Sequence, residues 1–256
     1  MKIGIICGHR IPHLIQNGES LKIETPYGDV SVETVSLHDN EIFFLNRHGE
    51  NSDIPPHKIN YLANIQALAS CHAEYIIAIG SVGSLKKNIK PGDFVIPHDF
   101  IDFTKSRRYT FFDDGRVHID MTNPYCPFLR NILINTAKKI DDFTKIYGKG
   151  VYLATEGPRL ETATEIRFFS QLADIVGMTG VPEIILAREK RMCYASICVV
   201  CNMAAGFQSE LTADEISMLY KEKEQVISKI LKSTIESLDD KRRNCNCKNV
   251  LSKASL

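Results

Sequence analysis

The stretch CYASICVVCNMAAG, Cys193–Gly206, begins with nine residues that carry no charge and then meets an amide, Asn202. An alternating apolar and polar pattern would mark a strand with one wet face. This run is apolar at nearly every position, which suits a strand covered on both faces. Similar runs recur at Lys2–Cys7 (KIGIIC), Tyr75–Leu85 (YIIAIGSVGSL), Gly92–Phe103, Ile146–Thr155 and Ala173–Thr179. A further segment, Lys22–Gly49, reads as two or three strands with turns at Pro26–Gly28 and His38–Asn40. Between these runs lie segments of helical spacing: Pro56–Ser70, Cys126–Ile140, Glu161–Ala173, Val181–Arg191 and the long amphipathic Thr212–Leu238. The small-residue stretch Gly80–Leu85 reads as a loop after its strand. Strands alternating with helices predict an α/β fold, a three-layer α/β/α sandwich with a central mixed sheet.

The chain has 31 basic and 31 acidic residues and no basic stripe, so nucleic acid is an unlikely partner. Its apolar runs are too short to span a bilayer, and MKIGIICGHRIPH reads as a strand, not a signal peptide. Six of the eight cysteines lie in or beside apolar segments and read as buried thiols of a cytoplasmic enzyme. Cys245 and Cys247 lie in the polar KRRNCNCKNV. That spacing suits a soft metal, but two thiolates do not complete a tetrahedral site, so no metal is expected. Residues 1–240 are read as one catalytic domain and 241–256 as a polar, mobile tail.

In layered α/β folds ligands gather where strands end. The polar residues in such places are Arg47–His48, Gly80–Ser81, Glu156–Glu161, Met178–Thr179 and Asn202. By side-chain chemistry Arg47 can clamp an anion with two N–H groups and His48 can add a donor, or the pair can form surface ion pairs. Glu161 can equally be the first-turn acid of a helix, and Asn202 a turn former.

The segments GPRLETATEI (157–166), DIVGMTGVPEIILARE (174–189) and NMAAG (202–206) resemble the trimeric purine nucleoside phosphorylase family, in its methylthioadenosine and methylthioinosine phosphorylase branch. TPYGDVSV, RHG, IPPHKINYLAN and GSL…IKPGDFVIPHDFIDFT follow the same family in the same order. The resemblance implies a nucleoside phosphorylase-like fold, a homotrimer, and inorganic phosphate as cosubstrate with no organic cofactor. It implies cleavage of a purine nucleoside to base and pentose 1-phosphate.

Carried over position by position, the resemblance puts Arg47, His48, Gly80, Ser81 and Thr179 around phosphate. The family's first loop usually reads Gly-Gly-Thr-Gly; here it reads CGHR, with His9 in the threonine place and Arg10 in the last glycine place. Either can donate to an anion. Met178 matches a methionine under the ribose, and Leu160 takes the place of an aromatic near the base. His118 matches a histidine laid over the pocket by a neighbouring subunit. The family's ribose-binding members hold the 5′-hydroxyl with a histidine near the last helix. This chain has the apolar Leu211, Ala213 and Ile216 there, which favour a methylthio group.

Asn202 and Glu161 decide the base. The Asn202 amide can donate to a keto O6 and accept from N7–H, whereas a 6-aminopurine offers two donors there. The Glu161 carboxylate accepts from N1–H, which neutral adenine lacks. Ala204 stands where the adenine-specific branch has a second acid. The implied reaction is phosphorolysis of a 6-oxopurine nucleoside, S-methyl-5′-thioinosine first, then inosine and guanosine. The alternatives are a methylthioadenosine phosphorylase and a purine nucleoside-binding protein without turnover.

Overall fold

The computed structural model describes residues 1–256 apart from 12, 16–17, 141–143, 209–211, 253 and 255–256. Its elements run β1 (Lys2–Cys7), β2 (Glu19–Ile23), β3 (Val30–Leu37), β4 (Asn40–Asn46), α1 (Tyr61–Ser70), β5 (Tyr75–Ser84), β6 (Phe94–Val95), β7 (Asp99–Phe103), α2 (Pro127–Ile140), β8 (Ile146–Tyr147), β9 (Val151–Thr155), α3 (Ala163–Phe169), β10 (Ile175–Gly177), α4 (Glu183–Glu189), β11 (Cys193–Met203) and α5 (Ala213–Ser237). These strands join one mixed sheet.

The apolar strands are buried from both sides, as their composition requires. Ile3 and Ile5 of β1 and Ala195, Ile197 and Val199 of β11 face α2 and α5, meeting Leu129, Leu133, Ile227 and Leu231. Ile6, Tyr194, Cys198 and Val200 point the other way, toward Leu62, Ile65 and Leu68 of α1 and Ile184 and Leu186 of α4. Gly4 lies at this contact: a methyl group there would lie 2.9 Å from the end of the Leu68 side chain, which would have to shift. α3 caps a smaller cluster over β9 and β10, through Ile166 and Phe169. The result is the expected α/β/α sandwich.

β5 positions the site. One edge pairs with β11 in parallel along its whole length. The other edge pairs with β1 as far as Ala78 and then, antiparallel, with β10 from Gly83. Between these partners the edge stays open, a gap of the kind that admits ligands in α/β sheets.

Several local readings change. Gly80–Ser84 continues β5 instead of forming a loop, because β11 pairs with it throughout. The helix expected from Pro56 splits into a 3-10 turn, Pro56–Lys58, and α1, which Asn60 caps by accepting from the Ala63 N–H. Gly92–Phe103 and Ile146–Thr155 each form two strands. β11 runs on through Asn202 and Met203, with a bulge between Val200 and Asn202.

The segment after Leu238, expected as a solvated, mobile tail, packs on the domain in its described residues. Arg243 and Lys248 form ion pairs with Glu74 at 3.2 and 2.6 Å, and the Tyr75 hydroxyl donates to Asp240. Cys247 is buried, and the Ala254 carbonyl accepts from the His118 N–H. No helix among the described residues is long and apolar enough to cross a membrane.

Candidate active site

The open edge of β5 forms the floor of a cavity of about 250 Å³. Strand ends supply most of its wall: Gly8 and His9 after β1, Arg47 and His48 after β4, Met178 and Thr179 after β10, Asn202 near the end of β11 and Ala204 just after it. Leu160 and Glu161 come from the loop before α3, and Ile216 and Tyr220 from α5. Strand-end residues as distant in sequence as Gly8 and Ala204 therefore converge because strands end at one side of the sheet.

The bulge explains how an apolar strand carries an amide. Cys201 is the extra residue, left out of the pairing with β5, so Val200 pairs with Val82 and Asn202 with Gly83. A bulge re-aims the side chain that follows it. The Asn202 amide donates to the Met203 carbonyl at 2.9 Å and keeps its second hydrogen and its oxygen for a ligand. Gly83 leaves room for it, since a methyl group there would lie 3.1 Å from the amide nitrogen and 3.3 Å from Val176.

Glu161 is half-buried and accepts from the Thr155 hydroxyl at 2.6 Å. Its loop is braced by Arg107, a buried residue in the polar TKSRRYT. The Arg107 guanidinium donates to the carbonyls of Thr155, Glu156, Met178 and Val181. One side chain thus holds both the Glu161 loop and the Met178–Thr179 turn. The Tyr152 hydroxyl also accepts from the N–H groups of Thr179 and Gly180.

Arg47 lies on the wall, but its fork is turned away from any bidentate anion clamp. Nε and Nη2 hold the two oxygens of Glu183, each at 3.0 Å, and Nη1 donates to the Ile79 carbonyl at 2.7 Å. Nη2 also reaches the Ile6 carbonyl at 3.3 Å. Only one Nη1 hydrogen remains for a ligand. Burial alone would weaken the protonated form, but the Glu183 carboxylate holds Arg47 above the usual arginine range. The Ile79 carbonyl points to the open edge of β5. By strand alternation the Ser81 N–H points there too, supplying a neutral anion donor.

His48 donates from Nδ1 to the Ile54 carbonyl at 2.6 Å, because a carbonyl only accepts. Its Nε2 lies toward Gly8 and the cavity. Burial and then the Arg47 cation lower its pKa. His9 is also lowered, by burial and then by Lys221 and Arg47. His9, with Gly8, is the part of the CGHR loop that faces the cavity, its ring 5.2 Å from that of Tyr220. Arg10 points outward and pairs with Glu33 at 2.5 Å.

Other expected site residues fall elsewhere. Gly80 is off the wall, flanked by Ile79 and Ser81, which are on it. His118 is exposed and borders a second cavity with Arg188 and Cys247. Leu160 sits at the rim. Ala213 opens α5, but its side chain, like residue Leu211, lies outside what the structure describes.

A profile of the Phosphorylase superfamily matches residues 2–236. The chain belongs to this superfamily. The phosphorylase is 48% identical over 257 residues to a probable 6-oxopurine nucleoside phosphorylase of Dictyoglomus turgidum, covering 98% of this chain and 97% of that one. It is also 48% identical over 256 residues to a probable S-methyl-5′-thioinosine phosphorylase of Methanocaldococcus jannaschii, covering 99% of each. Its fold superposes on a methylthioadenosine phosphorylase from an antarctic soil metagenomic library with a TM-score of 0.91 at 33% identity, covering 99% of this chain and 92% of that one.

Three wall or support residues of the phosphorylase were missed from its sequence. Glu183 is the one acid in the otherwise apolar PEIILA, which is a readable signal for a buried partner. Tyr220 follows Ile216 by four residues and so shares its helix face. Arg107 carries no such signal.

Proposed function

We propose that this phosphorylase cleaves 6-oxopurine nucleosides with inorganic phosphate, S-methyl-5′-thioinosine first and inosine and guanosine next. The observation that carries this reading is that Asn202 and Glu161 share one cavity wall with Ala204 and, among the described residues, no second acid beside them. A phosphate oxygen bonds to the anomeric carbon as the bond to the purine nitrogen breaks, and that bond's electrons pass to the base. Asn202 accepts from N7–H, whose proton arrives through water, and donates to O6. Glu161 accepts from N1–H. The oxocarbenium-like carbon is stabilised by the adjacent anion. His9, His48, the Ser81 N–H and Thr179 hold that anion, with Arg47 contributing one N–H. Met178 and Ile216 flank the sugar, and Leu160 covers the base.

The proposed reaction uses phosphate as cosubstrate and needs no organic cofactor. A cytoplasmic homotrimer is proposed with it on the family resemblance, with the exposed His118 as the residue offered to a neighbour's cavity. Release of free base from S-methyl-5′-thioinosine, inosine, guanosine and methylthioadenosine, with and without phosphate, tests the reading. Keto nucleosides are expected to turn over roughly a hundredfold faster than methylthioadenosine, and only with phosphate. Faster use of methylthioadenosine would overturn the base assignment. Tight binding without product would favour a binding protein.

The Tyr220 hydroxyl favours a second reading of the 5′ end. It is buried on the cavity wall with no hydrogen-bond partner among the described residues. A 5′-hydroxyl would satisfy it, and a methylthio group would not. Tyr220→Phe is expected to lower kcat/KM for inosine about tenfold while sparing S-methyl-5′-thioinosine.

A neutral His48 with Nδ1 already donating can hold a dianion at Nε2 only by taking up a proton. Burial, and then the Arg47 cation, hold its pKa below the ordinary histidine value. The KM for phosphate is therefore expected to rise as the pH climbs through that lowered pKa, by up to about tenfold per unit. His48→Gln should flatten this rise; phosphate's own ionisation is common to both proteins and cancels in their ratio. Equal slopes would remove His48 from the anion site.

A further inference from the structure

Cys245 and Cys247 are only half of a cysteine cluster. The fold brings Cys126, immediately before α2, and Cys193, the first residue of β11, against them. The four Sγ atoms all lie within 4.8 Å of one another, and those of Cys193 and Cys245 are 3.3 Å apart. We propose that these four cysteines form a structural tetrathiolate site for a soft divalent cation, zinc by preference.

The geometry suits a tetrahedron. A zinc–sulfur bond of about 2.3 Å places tetrahedral sulfurs about 3.8 Å apart. A disulfide needs about 2.05 Å, and all four cysteines are free thiols here. Three of the sulfurs belong to buried residues, and Cys245 is half-buried, so four protein ligands leave no open position of the sort a catalytic metal keeps.

Two surrounding groups suit a bound tetrathiolate. The Leu129 N–H in the first turn of α2 donates to the Cys126 sulfur at 3.5 Å, and Cys126 sits at the positive end of that helix. Arg243, two residues before Cys245, has a buried Nη2 with no hydrogen-bond partner among the described residues. A zinc tetrathiolate carries a net double negative charge, so a guanidinium at its edge offsets part of it. Metal binding here releases the thiol protons to solvent and involves no oxidation.

The site would clip three separate pieces of chain. It fixes the segment after α5 to the start of β11 and to the start of α2. The His118 N–H already holds the Ala254 carbonyl at 2.7 Å, so the clip also anchors the segment that carries His118.

The test uses the full chain purified under reducing, metal-buffered conditions without a chelating tag. Elemental analysis should find about one zinc per chain, and Cys245→Ser with Cys247→Ser should reduce it to background. Replacement of zinc by cobalt should give the intense visible bands and sulfur-to-metal charge transfer of a tetrahedral thiolate site. In case the double variant does not fold, thiol titration of the unaltered protein in denaturant supplies a second readout. Four additional thiols should react once a strong chelator is added. Sub-stoichiometric metal, octahedral cobalt spectra, or isolation of the four cysteines as two disulfides from reducing buffer would each overturn the proposal.

Discussion

Glu183→Ala is expected to lower the unfolding free energy by about 3–5 kcal/mol, the typical cost of breaking a buried ion pair by removing one partner. Glu183 is 0% exposed and Arg47 4%. The carboxylate accepts Nε and Nη2 of Arg47 and the Tyr194 hydroxyl at 2.8 Å. Its removal strands a guanidinium among apolar side chains, with two of its nitrogens and a tyrosine hydroxyl short of acceptors. A surface pair such as Arg108–Asp113, with both side chains more than 60% exposed, should cost less than about 1 kcal/mol when broken. Urea denaturation of both variants makes the comparison. Equal small losses would mean that the Arg47–Glu183 pair is solvated in solution. Glu183→Gln keeps the shape and one acceptor, so it should recover part of the loss. Activity is expected to fall with stability in Glu183→Ala, because the same pair fixes Arg47 against Ile79 on the cavity floor.

Asn202→Asp is expected to cut the preference for 6-oxo over 6-amino nucleosides roughly tenfold to hundredfold. The range follows from about 1–3 kcal/mol for a mismatched buried hydrogen-bonding pair. In the proposed contact the amide donates to a keto oxygen; a carboxylate there would repel it and accept from an amino group instead. The local structure adds a second effect. The Asn202 nitrogen lies 2.9 Å from the Met203 carbonyl, and a carboxylate oxygen placed there would face another acceptor. The variant should therefore lose kcat/KM on both classes while the ratio shifts toward the amino base. Measurement of kcat/KM for S-methyl-5′-thioinosine and methylthioadenosine in both proteins decides it. An unchanged ratio would mean that Asn202 does not touch the base. Glu161→Gln probes the other half of the contact, and its effect on the ratio should be additive only if the two groups read separate edges of the purine.

Much of the layered fold was legible because its signals are local. Uncharged runs such as Lys2–Cys7 and Cys193–Cys201 mark strands buried on both faces, and the 3.6-residue spacing of Thr212–Leu238 marks the long helix. Gly80–Ser84 was misread because small residues signal a turn only when no strand pairs beside them, and β11 does pair there. The donor and acceptor chemistry of Glu161 and Asn202, on which the proposed base contact rests, came by a different route, since it belongs to the side chain itself. The surroundings of each were not readable. The bulge at Cys201, the room left by Gly83 and the brace from Arg107 all come from neighbours distant in sequence.

The sequence by itself determined most of the element types, the α/β layering, the superfamily resemblance and the hydrogen-bonding character of Asn202 and Glu161. These depend on side-chain identity and short-range periodicity. Only the tertiary structure decided that Arg47 spends its fork on Glu183, 136 residues away, that Tyr220 joins Ile216 on the α5 side of the cavity, and that Cys126 and Cys193 lie against Cys245 and Cys247. Such pairings depend on the order of strands in the sheet and on where each helix crosses it. A local pattern leaves that order open, because the same amphipathic face can pack equally well against many partners.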